Sequence, residues 1–114
     1  MPQCIVIADE ITGGSAVGSM LEKNGNSVCS LMSARGLKDP ETAKYDCLVY
    51  STNSRNLTAL QSYQLVFSSA KLLKSDEVKL YAKRIDPAMR GNTCAETQAL
   101  LDALGDKDRV AIVV

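Results

Sequence analysis

The 114-residue chain contains no histidine and no tryptophan, and a single phenylalanine. Without imidazole, zinc sites built on histidine and Ser-His or Cys-His nucleophiles are excluded, so any proton transfer falls to a carboxylate, a lysine or a tyrosine. No metal site is expected. Aromatic residues make up 4% of the chain, too few for a base-stacking platform. An excess of either charge is missing too, because thirteen Lys and Arg balance thirteen Asp and Glu. That balance offers no electrostatic footprint for a nucleic acid or an anionic membrane surface. No apolar run approaches the ~20 residues a membrane span needs, and Met1 opens no signal-peptide pattern, so a cytoplasmic protein is expected. The four cysteines form no C-x-x-C pair, and Cys4, Cys29 and Cys47 sit inside apolar runs as small buried hydrophobes.

What is present is organised by apolar runs that each end in a polar motif. Cys4-Ile-Val-Ile-Ala8 leads into Asp9-Glu-Ile-Thr-Gly-Gly14, and Cys47-Leu-Val-Tyr50 into Ser51-Thr-Asn-Ser-Arg55. Val78-Lys-Leu-Tyr-Ala82 leads into Lys83-Arg-Ile-Asp-Pro-Ala-Met-Arg-Gly-Asn92. Strands are expected at 4–8, 27–32, 46–50, 77–82 and 109–114. A helix should run from the Thr12–Ser15 turn to about Asn24, with Val17, Met20 and Leu21 as its apolar stripe. A second covers 57–74 with Leu60, Tyr63, Gln64, Phe67, Ala70 and Leu73 near helical spacing, and a third covers 93–104, stopped by Gly105. Residues 33–44, which hold Gly36 and Pro40, are expected as a loop with at most a turn of helix.

Strands alternating with helices predict an α/β three-layer sandwich around a five-stranded, mostly parallel sheet. A flavodoxin-like or Rossmann-like order 2-1-3-4-5 fits, with the ends of strands one and three beside the switch crevice and strand four adjacent. All three motifs then lie along the carboxyl edge, where open α/β sheets bind ligands. The length suits one domain, 1–114. The chain reaches Val114 on a strand with no connection after it, which predicts a fragment or split subunit. A further domain or a second copy should then cover that strand.

In the first motif, Asp9 and Glu10 can bind a cation or accept a proton, while Gly13 and Gly14 let backbone approach a ligand at a helix start. The same residues also serve as an ordinary strand-to-helix turn. Gly13-x4-Gly18 has phosphate-loop spacing, but Ser19 stands where that loop needs Lys, and G-x-G-x-x-G is lacking. A phosphorylation receiver is excluded as well, since Ser51 takes the place of its acceptor Asp. In the second motif, Arg55 can take a carboxylate bidentately beside four short hydrogen-bonding side chains, or the segment is simply a capping turn for the next helix with Arg55 solvated. The third is the densest, with Lys83, Arg84, Asp86 and Arg90 before a helix start and Pro87 shaping the turn. It is either an anion site or a solvated charge cluster.

Together the motifs resemble the four-carbon acid sugar kinases. Ile-Ala-Asp9-Glu-Ile-Thr12-Gly13-Gly is similar to their Asp-Asp-Leu-Thr-Gly-Ala opening, and Ser51-Thr-Asn-Ser-Arg55 to their Asp-Thr-Asp-Ser-Arg. Lys83-Arg-Ile-Asp86-Pro-Ala-Met-Arg90-Gly91-Asn92 is similar to their Lys-Lys-x-Asp-Ser-Thr-Leu-Arg-Gly-Asn. The resemblance implies an N-terminal domain that binds a threonate- or erythronate-like acid for phosphorylation of its terminal hydroxyl. ATP and Mg²⁺ would be held mainly by a C-terminal nucleotide domain absent from this chain, so the chain alone would not turn over. By position, Asp9 would hold or deprotonate the hydroxyl, and Arg55 and Lys83 would hold the carboxylate. Asp86 and Arg90 would order the crevice and face the incoming phosphate, and Thr12, Gly13 and Gly91 would complete the substrate site. Ser51 and Asn53 replace family acids, and Pro87 and Ala88 replace Ser-Thr. These departures leave an alternative: a non-catalytic anion-binding or protein-interaction module derived from the same fold.

Overall fold

Strands covered on both faces must be apolar along their length, and polar residues push a strand toward the margin of a sheet. A computed structural model describes residues 1–105 and 108–112 and follows this rule. In chain order its elements are β1 (Cys4–Ala8), α1 (Ile11–Lys23), β2 (Val28–Leu31), β3 (Cys47–Ser51), α2 (Ala59–Leu73), β4 (Leu80–Arg84) and α3 (Thr93–Leu104). The sheet is parallel throughout, in the order β2-β3-β1-β4. Central β1 and β3 are buried at every position, while β2 and β4 are partly exposed edges.

The α/β three-layer arrangement stands, with two corrections. The order is 2-3-1-4 rather than 2-1-3-4, so β4 neighbours β1 and not β3. A clasp at the start of the strands ties β3 to β2: Ser27 donates its N–H and hydroxyl to Asp46 Oδ2, at 2.8 and 2.9 Å, and Asp46 N–H donates back to Ser27 Oγ at 2.9 Å. Second, the described sheet has four strands. Residues 109–112 carry no strand pairing, and residues 113–114 of the expected fifth strand lie outside the described residues. The 109–112 segment instead borders an apolar groove of about 550 Å³ along the outer edge of β4, lined with Leu80, Ala82, Leu100, Leu104, Val110 and Ile112.

One face of the sheet carries the larger core, in which Ile5, Ile7, Leu48 and Tyr50 meet Val66, Ala70 and Leu73 of α2 and Ala99, Leu100 and Ala103 of α3. On the other face Val6 and Val49 meet Val17 and Leu21 of α1, with Met20 exposed rather than packed. The buried face of α2 differs from the expected stripe: Ser62 and Ser69 turn inward, and Leu60 is exposed. Residues 34–38 and 40–44 form two short 3-10 turns. β4 starts and ends later than the apolar run does, because pairing begins where Lys79 and Leu80 donate to the Gln3 carbonyl. Lys83 and Arg84 therefore lie inside the strand. Among the described residues, no helix is long and apolar enough to cross a membrane.

Candidate functional site

Beyond the carboxyl ends of β1, β3 and β4 the chain turns three times, and the turns are stitched together. Thr52 N–H donates to the Ala8 carbonyl at 2.8 Å and Ser54 N–H to the Asp9 carbonyl at 2.9 Å, carrying the β1–β3 pairing past the strand ends. Between them Asn53 adopts a left-handed conformation, with φ of 51°. This swings Arg55 back over Asp9. The Arg55 guanidinium donates to Asp9 Oδ2 from Nε at 3.0 Å and to Asp9 Oδ1 from NH2 at 3.3 Å. The same NH2 lies 3.5 Å from Asp86 Oδ1 and 3.8 Å from Glu10 Oε1. Residues from all three turns thus meet around one guanidinium.

Asp86 anchors the third turn. It accepts from Arg90 Nε and NH2 at 3.0 and 2.8 Å, and from the N–H groups of Ala88 and Arg90 at 2.9 and 3.3 Å. The Arg90 guanidinium, foremost, and then those N–H donors hold its carboxyl well below the ordinary carboxylate range despite its burial. Met89 takes a φ of 60° and Gly91 one of 85°, which close the turn toward α3. A side chain at Gly91 would begin 2.9 Å from Asp9 Oδ2 and 3.2 Å from Arg55 Cγ, so only glycine leaves room for that pair. Glu10 caps α1 by accepting from Gly13 N–H at 2.6 Å and Thr12 N–H at 3.2 Å, and the first of these bonds chiefly lowers its pKa.

Lys83 stands apart from this cluster. It shares the sheet face of α2 and α3, where its Nζ lies 3.1 Å from Glu96 Oε1; the two side chains are 7% and 1% exposed. Glu96 Oε1 is buried, with the ammonium's charge beside it but no hydrogen bond among the described residues. Its other oxygen accepts from Ser54 Oγ at 2.8 Å, Ser54 Oγ lies 2.6 Å from Thr52 Oγ1, and Thr52 Oγ1 donates to the Ala8 carbonyl. Lys83 therefore reaches the other turns through Glu96 and two hydroxyls rather than directly. Asn92 completes the support by donating to Ser62 Oγ and the Leu57 carbonyl, both at 2.8 Å.

Of the expected site residues, Asp9, Arg55, Asp86, Arg90 and Gly91 are assembled in contact, Thr12 and Gly13 flank Glu10 at the start of α1, and Lys83 is engaged on the opposite face. Glu96 was not among the residues singled out from the sequence, although an acid in the first turn of a helix is a visible signal. Among the described residues, no group of three or more Cys, Asp or Glu is placed to hold a metal ion. The acids here are engaged by guanidinium and backbone donors, and Glu10 takes the α1 N–H groups a phosphate would need, so these residues do not fit an ATP–Mg²⁺ site.

Residues 4–114 match the family described as the sugar-binding N-terminal domain. Among characterised proteins, the chain is 32% identical over its whole length to a D-erythronate kinase of Heliobacterium modesticaldum, covering 26% of that protein. It is 33% identical to a D-threonate kinase of Salmonella typhimurium, over 87% of this chain and 23% of that one. A 3-oxo-tetronate kinase of Escherichia coli is 30% identical over 87% of this chain and 26% of its own length. The chain thus spans about a quarter of the curated relatives it matches. In structure it resembles a Bordetella bronchiseptica domain of unknown function, crystallised as a domain-swapped dimer with bound citrate. The TM-score is 0.82 and the identity 25%, over 90% of this chain and 26% of that one.

Proposed function

Since this chain belongs to the sugar-binding N-terminal domain family, we propose that it binds a four-carbon sugar acid of the erythronate or threonate kind at the carboxyl edge of its sheet. The acid's terminal hydroxyl is then the group phosphorylated. One observation carries the proposal: Asp9, Arg55, Asp86, Arg90 and Gly91, from three separate turns, converge at the crevice where crossovers leave the sheet in opposite directions. Asp9 keeps lone pairs beyond those taken by Arg55 and accepts the substrate hydroxyl, and Arg55 holds that carboxylate in place. Thr12 and Gly13 supply a wall with little side-chain bulk. Asp86 and Arg90 shape the turn, leaving the outer edge of the Arg90 guanidinium, 67% exposed, toward incoming phosphate. Lys83 acts from behind, through Glu96 and Ser54. ATP and Mg²⁺ are held by a nucleotide domain outside this chain, and the outer edge of β4 with its apolar groove is a surface for that domain or a second copy.

Titration calorimetry at low ionic strength with D-erythronate, D-threonate and 3-oxo-tetronate tests the proposal. At least one should bind the 114-residue chain, and Asp9→Asn should weaken it; no heat with any of them counts against a sugar-acid site. The non-catalytic alternative draws on Pro87 and Ala88, which leave the third turn without side-chain hydroxyls. Ligand binding unchanged by Asp9→Ala but abolished by Arg90→Ala would favour it.

A further inference from the structure

Four cationic side chains stand at or just inside the carboxyl edge, and three of them already have an acid of their own. Arg55 is paired with Asp9, Arg90 with Asp86 and Lys83 with Glu96. Arg84 differs. It closes β4 in register with Ala8, one residue before Asp9, and its side chain makes no ion pair or hydrogen bond among the described residues. Strand alternation sends it to the α1 face, opposite Lys83. There it crosses the start of α1, with Cγ and Nε 3.4 and 3.5 Å from the point where a Gly13 side chain would begin. It is only partly exposed.

We propose that Arg84 is the residue that recognises the carboxylate of the sugar acid. This deepens the functional proposal above and rests on it. A half-buried guanidinium without a partner has lost part of its hydration and has gained no counter-charge, so an anionic ligand gains most at that position. Glu10 Oε1 lies 3.2 Å from the same Gly13 point, but it is committed to the N–H groups of Gly13 and Thr12. Those bonds also leave no cradle of free N–H groups for the several oxygens of a phosphate, whereas a carboxylate needs only the flat edge of one guanidinium. The absence of a Cβ at Gly13 lets the Arg84 side chain lie close against the start of α1. The ligand then lies with its acid end over Gly13 and Arg84 and its hydroxyls toward Asp9.

The experiment compares D-erythronate, erythritol (a four-carbon polyol without the charge) and inorganic phosphate on the parent chain and on Arg84→Gln and Arg84→Lys, by calorimetry. The parent should prefer erythronate to erythritol. Arg84→Gln should lose about 10- to 100-fold in erythronate affinity, with erythritol unaffected, and Arg84→Lys should recover part of the loss. Unchanged thermal unfolding will show that the variants fold. Erythronate binding to Arg84→Gln at parental strength, or a loss confined to phosphate, overturns the assignment while leaving the sugar-acid site in place. A parent chain that binds no sugar acid overturns both.

Discussion

Gly91 combines two demands that no other residue meets. Its φ of 85° disfavours any side chain, and the space a Cβ needs is taken by Asp9 Oδ2 at 2.9 Å. Gly91→Ala should cost about 1–3 kcal/mol in urea unfolding and should also weaken ligand binding, because the Asp9–Arg55 pair must shift. A variant that loses stability but binds normally would separate the turn from the site. Lys83 and Glu96 make a different case. Removing only the ammonium, as in Lys83→Met, leaves Glu96 buried with no compensating charge and should cost about 3–5 kcal/mol. Adding Glu96→Gln to that variant should return much of the loss, since the neutral amide no longer needs a cation. Equal stability of the single and double variants would show that the pair is not energetically coupled.

Among the elements, α1 shows how small residues set helix-to-sheet distance. A Cβ at Gly14 would begin 2.6 Å from Ser51 Oγ and 3.3 Å from both Ala8 Cβ and Val49 Cγ1, whereas at Gly18 the nearest atom is 3.6 Å away. Gly14→Ala should therefore destabilise by about 1–3 kcal/mol. Gly18→Ala should be neutral or gain up to about 1 kcal/mol from helix propensity, so the two substitutions are expected to differ in sign when unfolded side by side. The central strands were legible because a strand covered on both faces allows no polar residue before its end, as in Cys4–Ala8. The strand order was not: the contact that ties β2 to β3 is made by Ser27 and Asp46, two polar residues 19 positions apart with no local signature. Arginines and acids of the site could be read from their spacing after apolar runs. Their pairing could not: Lys83 and Arg84 are adjacent in sequence, and only the later end of β4, at Arg84, shows that they face opposite layers.

For the whole molecule, the lack of histidine has a measurable result. Few side chains titrate between about pH 5 and 8, so thermal stability should be nearly flat there. Asp86 is depressed chiefly by Arg90, and Glu10 and Asp46 chiefly by backbone donors. Depressed carboxyls contribute stability above their unfolded values and lose it as pH falls, so the decline should begin below about pH 4. At the other end Cys4, pushed up to about 11 by burial and then by Cys47, favours the folded state less as pH rises from its ordinary 9.0 toward that value. A melting curve across pH with a step near 6.5 would contradict this account. The mutual neutralisation of Asp9 with Arg55 and of Asp86 with Arg90 has one more consequence. Those four side chains are locked in their rotamers before any substrate arrives, so a guest meets a finished mould. Complex formation should then leave the surrounding backbone nearly still and sacrifice little protein entropy.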